Sequence, residues 1–379
     1  DAAATAAQEI TTDTGAVALS VAFVVVAVPA FVVLAVVTRR RLRDDPKEAQ
    51  SPGWALYLTL VLFGSLVTTV PLLITLFGDL LVGDGIDRAV LVNAVIWGTV
   101  WAVHSWIAER DGYEPNLRLE HLMGSFVGLV VLLAAGAVAA ANVLVELYDV
   151  AAGIEPIGPT AEQIVRPLAA AAVGAAVWGW YWLRTTVNDE RTGLWNAYVL
   201  LAGVLSGVVL VVAGIATAVF RVLEWVLADP SGTAAEHFEV IPAALGVVAV
   251  GVATWAYHRH VLDGGPERER TEVDRVYDYL LAGAGLVVAA GGLATLLIYA
   301  LWAIAGTEIT GSDRSVIAVA LTLLAVGAPL WGIYWSRAQR GRNRLGAAEA
   351  QSTTRRTYLF IVLGISGLVA LVNMIVLVY

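Results

Sequence analysis

The chain contains no cysteine. Disulfides, thiolate metal sites and thiol nucleophiles are therefore excluded, while the redox compartment stays open. Charge is scarce as well. Only 15% of the 379 residues are Asp, Glu, Lys or Arg, where a soluble domain carries about 25%. Lys47 is the single lysine; with the abundance of Ala and Val, this bias towards arginine points to a high-GC prokaryotic genome. The sequence has no HExxH, no carboxylate–histidine cluster, no phosphate-binding glycine loop and no nucleophile–base arrangement. Charges are also missing from the middle of the long apolar runs, where a pump or ion-coupled transporter keeps them at a cost of at least ~2.5 kcal/mol each. These absences argue against an enzyme, against ion-coupled transport and, with a net charge of −9, against a nucleic-acid partner.

What the chain has in quantity is apolar surface: 59% hydrophobic residues and a mean hydropathy of +0.76. About twenty apolar residues cross a ~30 Å hydrocarbon core as a helix. Ten segments qualify: 16–37, 54–77, 89–108, 122–148, 166–185, 195–227, 240–260, 276–304, 315–336 and 357–379. The expected fold class is all-α, a polytopic integral membrane protein of about ten transmembrane helices. The connecting loops are short, so no separate soluble domain is expected, and residues 1–15 read as a flexible polar lead-in rather than a signal peptide.

Lys and Arg fall unequally among the loops. The set 38–53, 109–121, 184–194, 259–275 and 336–356 holds nineteen, and the opposite set holds three. That asymmetry places the first set in the cytoplasm and the N-terminus outside, in the plasma (inner) membrane of a prokaryotic cell.

A tetrapeptide Trp-[Ala/Gly]-x-[His/Tyr] recurs four times: Trp101–His104, Trp178–Tyr181, Trp255–His258 and Trp331–Tyr334. The steps are 77, 77 and 76 residues, so the chain reads as one structural unit copied along its length. The expected organisation is an N-terminal lead-in, first helix and basic loop (1–53), four hairpins (54–110, 121–187, 195–262 and 275–340) and a single rising helix (357–379). Each rising helix opens on an aromatic or His with a glycine one to two turns later, as in Tyr57…Gly64, His121…Gly128, Tyr198…Gly203, Tyr279…Gly285 and Tyr358…Gly364. Segment 16–37 lacks the Trp motif and reads either as a divergent half-repeat or as an added anchor.

The stretches RVYDYLLAGAGLVVAAGGLATLL (275–297) and LLAVGAPLWGIYWSRAQR (323–340) resemble a family of prokaryotic multi-pass membrane domains of unknown function. In that family a Tyr-rich start to one helix precedes a small-residue helix ending in Trp-x-x-x-Trp and arginine. Residues 195–260 and 357–379 are similar to it more weakly, and 54–185 more weakly still. The resemblance implies tandem helical hairpins and carries no catalytic residues.

Trp and His/Tyr three apart share a helical face. Ten of the thirteen tryptophans lie near the basic ends of their helices. They read as an interfacial aromatic belt; a surface through which hairpins or a partner pack is the alternative, so Trp101, Trp178, Trp255 and Trp331 are candidate lipid or interface residues. His104, His121, His258 and His260 gather at the same boundary, and haem held by paired imidazoles is the one cofactor they suggest. No metal site is expected. Arg221 and Glu224, three apart near an outer helix end, can pair, or meet an anionic head group or partner. The run Arg39–Arg43 and the stretch 337–344 suit anionic lipid. Gly124-x-x-x-Gly128 and Gly203-x-x-x-Gly207 permit close helix approach, and the mild polar residues Thr68, Thr69, Asn93, Asn142, Thr217 and Asn373 are expected to hydrogen-bond between helices.

The reading this supports is a non-enzymatic membrane scaffold or accessory subunit, binding lipids and other membrane subunits through repeated helical surfaces. Two alternatives stay open: a transporter or channel for a neutral or apolar solute, and a haem- or quinone-binding electron-transfer subunit.

Overall fold

A computed structural model describes residues 22, 25–26, 28–45, 47–110, 114–154, 160–228, 230–263, 272–306, 308, 310–346 and 351–378. The polar lead-in 1–15, the first part of segment 16–37 and the loop arginines Arg268 and Arg270 lie outside the described residues. Those described are helical, with no strand among them. In chain order the helices are α1 (28–44), α2 (Pro52–Val82), α3 (Arg88–Arg110), α4 (Glu114–Ala152) and α5 (Thr160–Trp178). They continue as α6 (Gly193–Ala228), α7 (Val240–Asp263), α8 (Glu272–Ile304), α9 (Gly311–Leu345) and α10 (Thr353–Val378). Among the described residues nine are long and apolar enough to cross a membrane. Apolar length sets where the helices lie, because a backbone in lipid must satisfy its own hydrogen bonds.

Helix starts follow capping chemistry. Thr233 and Glu236 form a reciprocal capping box ahead of the short helix Ala234–Phe238, and the Asp313 carboxylate accepts the Thr310 N–H at 2.8 Å. Prolines 71, 167 and 329 lie inside helices, where the surrounding helix must absorb a missing N–H donor.

The chain forms two compact units, Asp1–Ser65 with Gly98–Glu120, and Leu66–Trp97 with His121–Tyr379. In the first, Leu58, Leu62 and Ala108 are buried, with Trp54 and Trp101 packed on them. In the second, the core runs through Leu129, Trp182, Trp195, Val199, Val204, Leu281 and Tyr334. Within this unit α8 packs on α9, α6 on α7, α9 on α6, and α10 on α8.

Glycine is what lets these helices touch. A Cβ on Gly128 would stand 2.4 Å from the Trp178 backbone nitrogen; one on Gly207 would stand 2.7 Å from that of Trp255, and one on Gly285 2.5 Å from that of Trp331. Four residues before each of these tryptophans comes another glycine, pressed back against the rising helix. Gly174 meets Leu132, Gly251 meets Gly207 and Leu210, and Gly327 meets Gly285 and Ala289. The three contacts are alike: rising and returning backbones meet where one presents glycine and the other Gly-x-x-x-Trp. Gly246 of α7 makes a fourth approach, to the Ala140 and Ala141 backbone of α4.

Interhelical hydrogen bonding by the mild polar residues holds for Asn142, whose Nδ2 donates to the Gln163 carbonyl at 2.7 Å. Asn93, Thr217 and Asn373 bond instead to the carbonyl four residues back on their own helices. A short side chain on a helix reaches its own i−4 oxygen at no packing cost.

Candidate functional site

The Trp motif ends in a buried residue in every copy: His104, Tyr181, His258 and Tyr334 are each at most 7% exposed. The tryptophans are less enclosed. Trp255 is 40% exposed, Trp101 is half-buried against Leu58 and Leu62, and Trp178 and Trp331 pack against the main core from its edge. The polar aromatic three residues on points inward, towards the aromatic that opens the rising helix.

In the first copy the Tyr57 hydroxyl lies 3.0 Å from His104 Nε2. In the second, the His121 and Tyr181 rings are 6.0 Å apart. In the fourth, the Tyr277 and Tyr334 hydroxyls meet at 2.9 Å; Tyr279, read from the sequence as the opening aromatic, turns instead to Arg355 and Tyr358. The third departs. Tyr198, which opens α6, accepts from Trp178 Nε1 at 3.2 Å, and His258 takes no hydroxyl.

The surroundings of His258 form an aromatic box. Trp178, Trp182 and Tyr257 place their ring centroids 6.2, 6.1 and 5.0 Å from the imidazole. Trp182 Nε1 donates to the Tyr257 hydroxyl at 2.9 Å. Trp182 stacks at 5.9 Å on Trp195, whose Nε1 donates to the Thr186 carbonyl at 2.9 Å. Gly203 lies on the imidazole: a Cβ there would be 2.2 Å from Cδ2. Two π-helical stretches flank the box, Gly179–Leu183 and Tyr198–Val204. A π-turn adds a residue to the helix, and such turns concentrate at functional sites. Tyr198 stands nine residues before Gly207, Tyr277 eight before Gly285 and His121 seven before Gly128.

The tautomer of His258 follows from its partner. Nδ1 lies 2.9 Å from the Thr254 carbonyl, which can only accept, so Nδ1 carries the proton and Nε2 presents a lone pair. His104 is set the same way, with Nδ1 2.7 Å from the Val100 carbonyl, and its Nε2 accepts from Tyr57. His258 Nε2 is buried with no hydrogen-bond partner among the described residues. An unmet acceptor of this kind costs about 1–3 kcal/mol.

The other candidate residues are dispersed. His260 is exposed. Arg221 Nη1 and Glu224 Oε2 pair at 2.9 Å, and His237 Nε2 lies 2.9 Å from the Arg221 carbonyl. Among the described residues no group of three or more His, Asp or Glu side chains could hold a metal ion.

Two features departed from expectation. Trp182 and Trp195, assigned to the interfacial belt, are 0% and 2% exposed: they are core residues. For Trp182 the signal was the run Trp178-Gly-Trp-Tyr-Trp182, since tryptophans at i, i+2 and i+4 of one helix cannot all share one lipid face. The second is Arg166, which pairs with Asp79 at 2.6 Å, with Glu162 at 2.7 Å and with Asp84. Asp79 and Asp84 are more than eighty residues away in sequence, and no local pattern marked them. Around the motif ends the basic residues stack on aromatics: Arg110 on Trp106, Arg184 on Trp180, Arg191 on Trp195 and Arg337 on Tyr334. Arg191 also donates to the Val261 and Leu262 carbonyls at the end of α7.

No curated protein and no solved structure matches the chain. A domain of unknown function, DUF5671, matches residues 1–103 and 275–379. The second segment contains the stretches that carried the family resemblance; the first covers helices whose resemblance looked weakest, and the aromatic box lies between the two. Because the matched segments make up more than half of its length, the chain belongs to the DUF5671 family of domains of unknown function.

Proposed function

We propose that the chain is a non-enzymatic scaffold or accessory subunit of a prokaryotic plasma-membrane complex, built from a duplicated helical hairpin. The motif ends face the cytoplasm and the N-terminus lies outside, as the arginine asymmetry requires. The observation that carries this reading is the closure of the hairpins. At Gly128, Gly207 and Gly285 backbone meets backbone, so the space inside each hairpin is taken up by its own helices. Apolar side chains meanwhile turn outward along their length, including Val209, Val252, Val287 and Leu297. Such a surface suits lipid and the helices of partner subunits. Purification of the intact chain from native membranes, followed by native mass measurement in nanodiscs, tests this. Co-purifying membrane subunits or a defined oligomer are the expected result, and a monodisperse monomer without partners would count decisively against it.

A second reading, an electron-transfer subunit that binds haem or a quinol, draws support from one observation: the oriented, unpartnered Nε2 lone pair of His258. A lone pair held by Nδ1–H···O=C on the other nitrogen suits an iron or a quinol hydroxyl. It needs Gly203 and the flanking π-turns to give way. An absorption spectrum of the purified protein, with and without added haem, tests the haem form; a Soret band that His258→Leu abolishes is the result this reading requires.

A further inference from the structure

Two carboxylates near the end of α4 have no counter-charge among the described residues. Glu146 Oε2 and Asp149 Oδ1 are buried without a hydrogen-bond partner, and Asp149 is 8% exposed. The two stand three residues apart, with Asn142 one turn before Glu146, so the three side chains follow one another along a single face of the helix. Asn142 fixes where that face looks, because its Nδ2 donates to the Gln163 carbonyl of α5 at 2.7 Å. An amide's oxygen and nitrogen are told apart by their partners, so its Oδ1 is turned away from that carbonyl and stays an acceptor. What the stripe leaves free is oxygen, at the end of the α4–α5 hairpin remote from the Trp motif.

The donors and cations of the neighbouring segments are committed elsewhere. Tyr148, on another side of α4, donates to the Ala235 carbonyl at 2.8 Å. Arg166, three residues after Gln163, already serves Asp79, Asp84 and Glu162. Arg221 is held by Glu224. All of these belong to the second compact unit. Three carboxylates on one guanidinium leave the surroundings negative, and such a field gathers cations. A carboxylate oxygen enclosed without a donor takes up a proton or meets a cation. Asn, Glu and Asp at i, i+4 and i+7 also describe an ordinary solvated polar face; the enclosure of both carboxylate oxygens sets this one apart.

We propose that Glu146 and Asp149, with Asn142 Oδ1 as a third oxygen, bind a calcium ion at the mouth of the α4–α5 hairpin. Oxygen ligands alone favour a hard cation over a transition metal. Ca2+ accepts about six to eight oxygens at about 2.3–2.6 Å in flexible geometry, so water completes an irregular set that Mg2+ tolerates poorly. With two carboxylates and an amide, the site needs no third acidic ligand. The ion neutralises both carboxylates and fixes the end of α4. The proposal uses side chains of one unit and stands apart from the scaffold reading and from the orientation of the chain.

The test uses the full-length chain, purified in EDTA and placed in nanodiscs of zwitterionic lipid, where both faces meet the buffer. Added Ca2+ should raise the unfolding midpoint with half-saturation at about 0.1–1 mM, the range of extracellular calcium modules. Tb3+, which occupies calcium sites, should emit when the neighbouring Tyr148 is excited, and Ca2+ should displace it. Glu146→Gln and Asp149→Asn keep the side-chain shapes, and each should raise the half-saturating Ca2+ about tenfold or more. Glu162→Gln, which alters a carboxylate already held by Arg166, should leave it unchanged. A wild-type chain with neither Tb3+ emission nor a Ca2+-dependent midpoint would overturn the proposal, however the variants behave. A Ca2+ response that persists with both ligands substituted would overturn it too, by moving the ion to other acidic residues. So would a midpoint that rises on acidification and ignores Ca2+, because a proton would then relieve the charge.

Discussion

His104 and His258 occupy the same place in the tetrapeptide and hold the same tautomer, but one has a donor and the other does not. The Tyr57 hydroxyl completes His104; Tyr198, drawn to Trp178, leaves His258 with a buried lone pair. The two should therefore respond oppositely to an apolar replacement. His104→Leu strands the Tyr57 hydroxyl and is expected to lower stability by about 1 kcal/mol. His258→Leu removes an unmet acceptor and is expected to leave the melting temperature unchanged or raise it. Thermal unfolding of both variants in the same detergent checks this, and a larger loss at His258 than at His104 would show that His258 has a partner. The motif made both positions visible in the sequence. Which was satisfied was not visible, because the answer depends on where the Tyr57 and Tyr198 hydroxyls lie once the helices pack.

At the scale of the helix, glycines of one chemical type have three different jobs. Gly128, Gly207 and Gly285 lie under a returning backbone, Gly364 lies under nothing, and Gly83 and Gly85 turn a loop with φ of 89° and 85°, in the left-handed region that costs other residues about 1–2 kcal/mol. Gly207→Ala forces a methyl against the Trp255 nitrogen and is expected to cost about 1–3 kcal/mol. Gly364→Ala is expected to stay within about 0.5 kcal/mol. Unfolding midpoints of the two variants make the comparison, and equal losses would contradict this packing. The Gly-x-x-x-Gly spacing was legible in the sequence. Its partner, Gly-x-x-x-Trp on the returning helix, is decided by the packing, since neither half alone marks which face it presents. Aromatic residues were harder: Trp182 and Trp195 follow the belt pattern in composition yet are sealed by neighbours from distant segments.

At the scale of the molecule, orientation and assembly are the quantities to measure. With no native thiol, a single Ile86→Cys should react with an impermeant maleimide added to intact cells, whereas Arg342→Cys should react only after permeabilisation. Reversed labelling would invert the topology that nineteen basic residues against three imply. The sequence alone determined that the chain crosses a membrane many times, roughly where each helix lies and that a motif recurs, because those follow from apolar length and from spacing along one chain. The tertiary structure decided which end of the Trp motif is buried, and it gathered Asp79, Asp84 and Glu162 onto Arg166. It also left His258 Nε2 without a hydrogen-bond partner among the described residues. Each of those depends on which residues meet across helices, and nothing local in a sequence encodes who stands opposite.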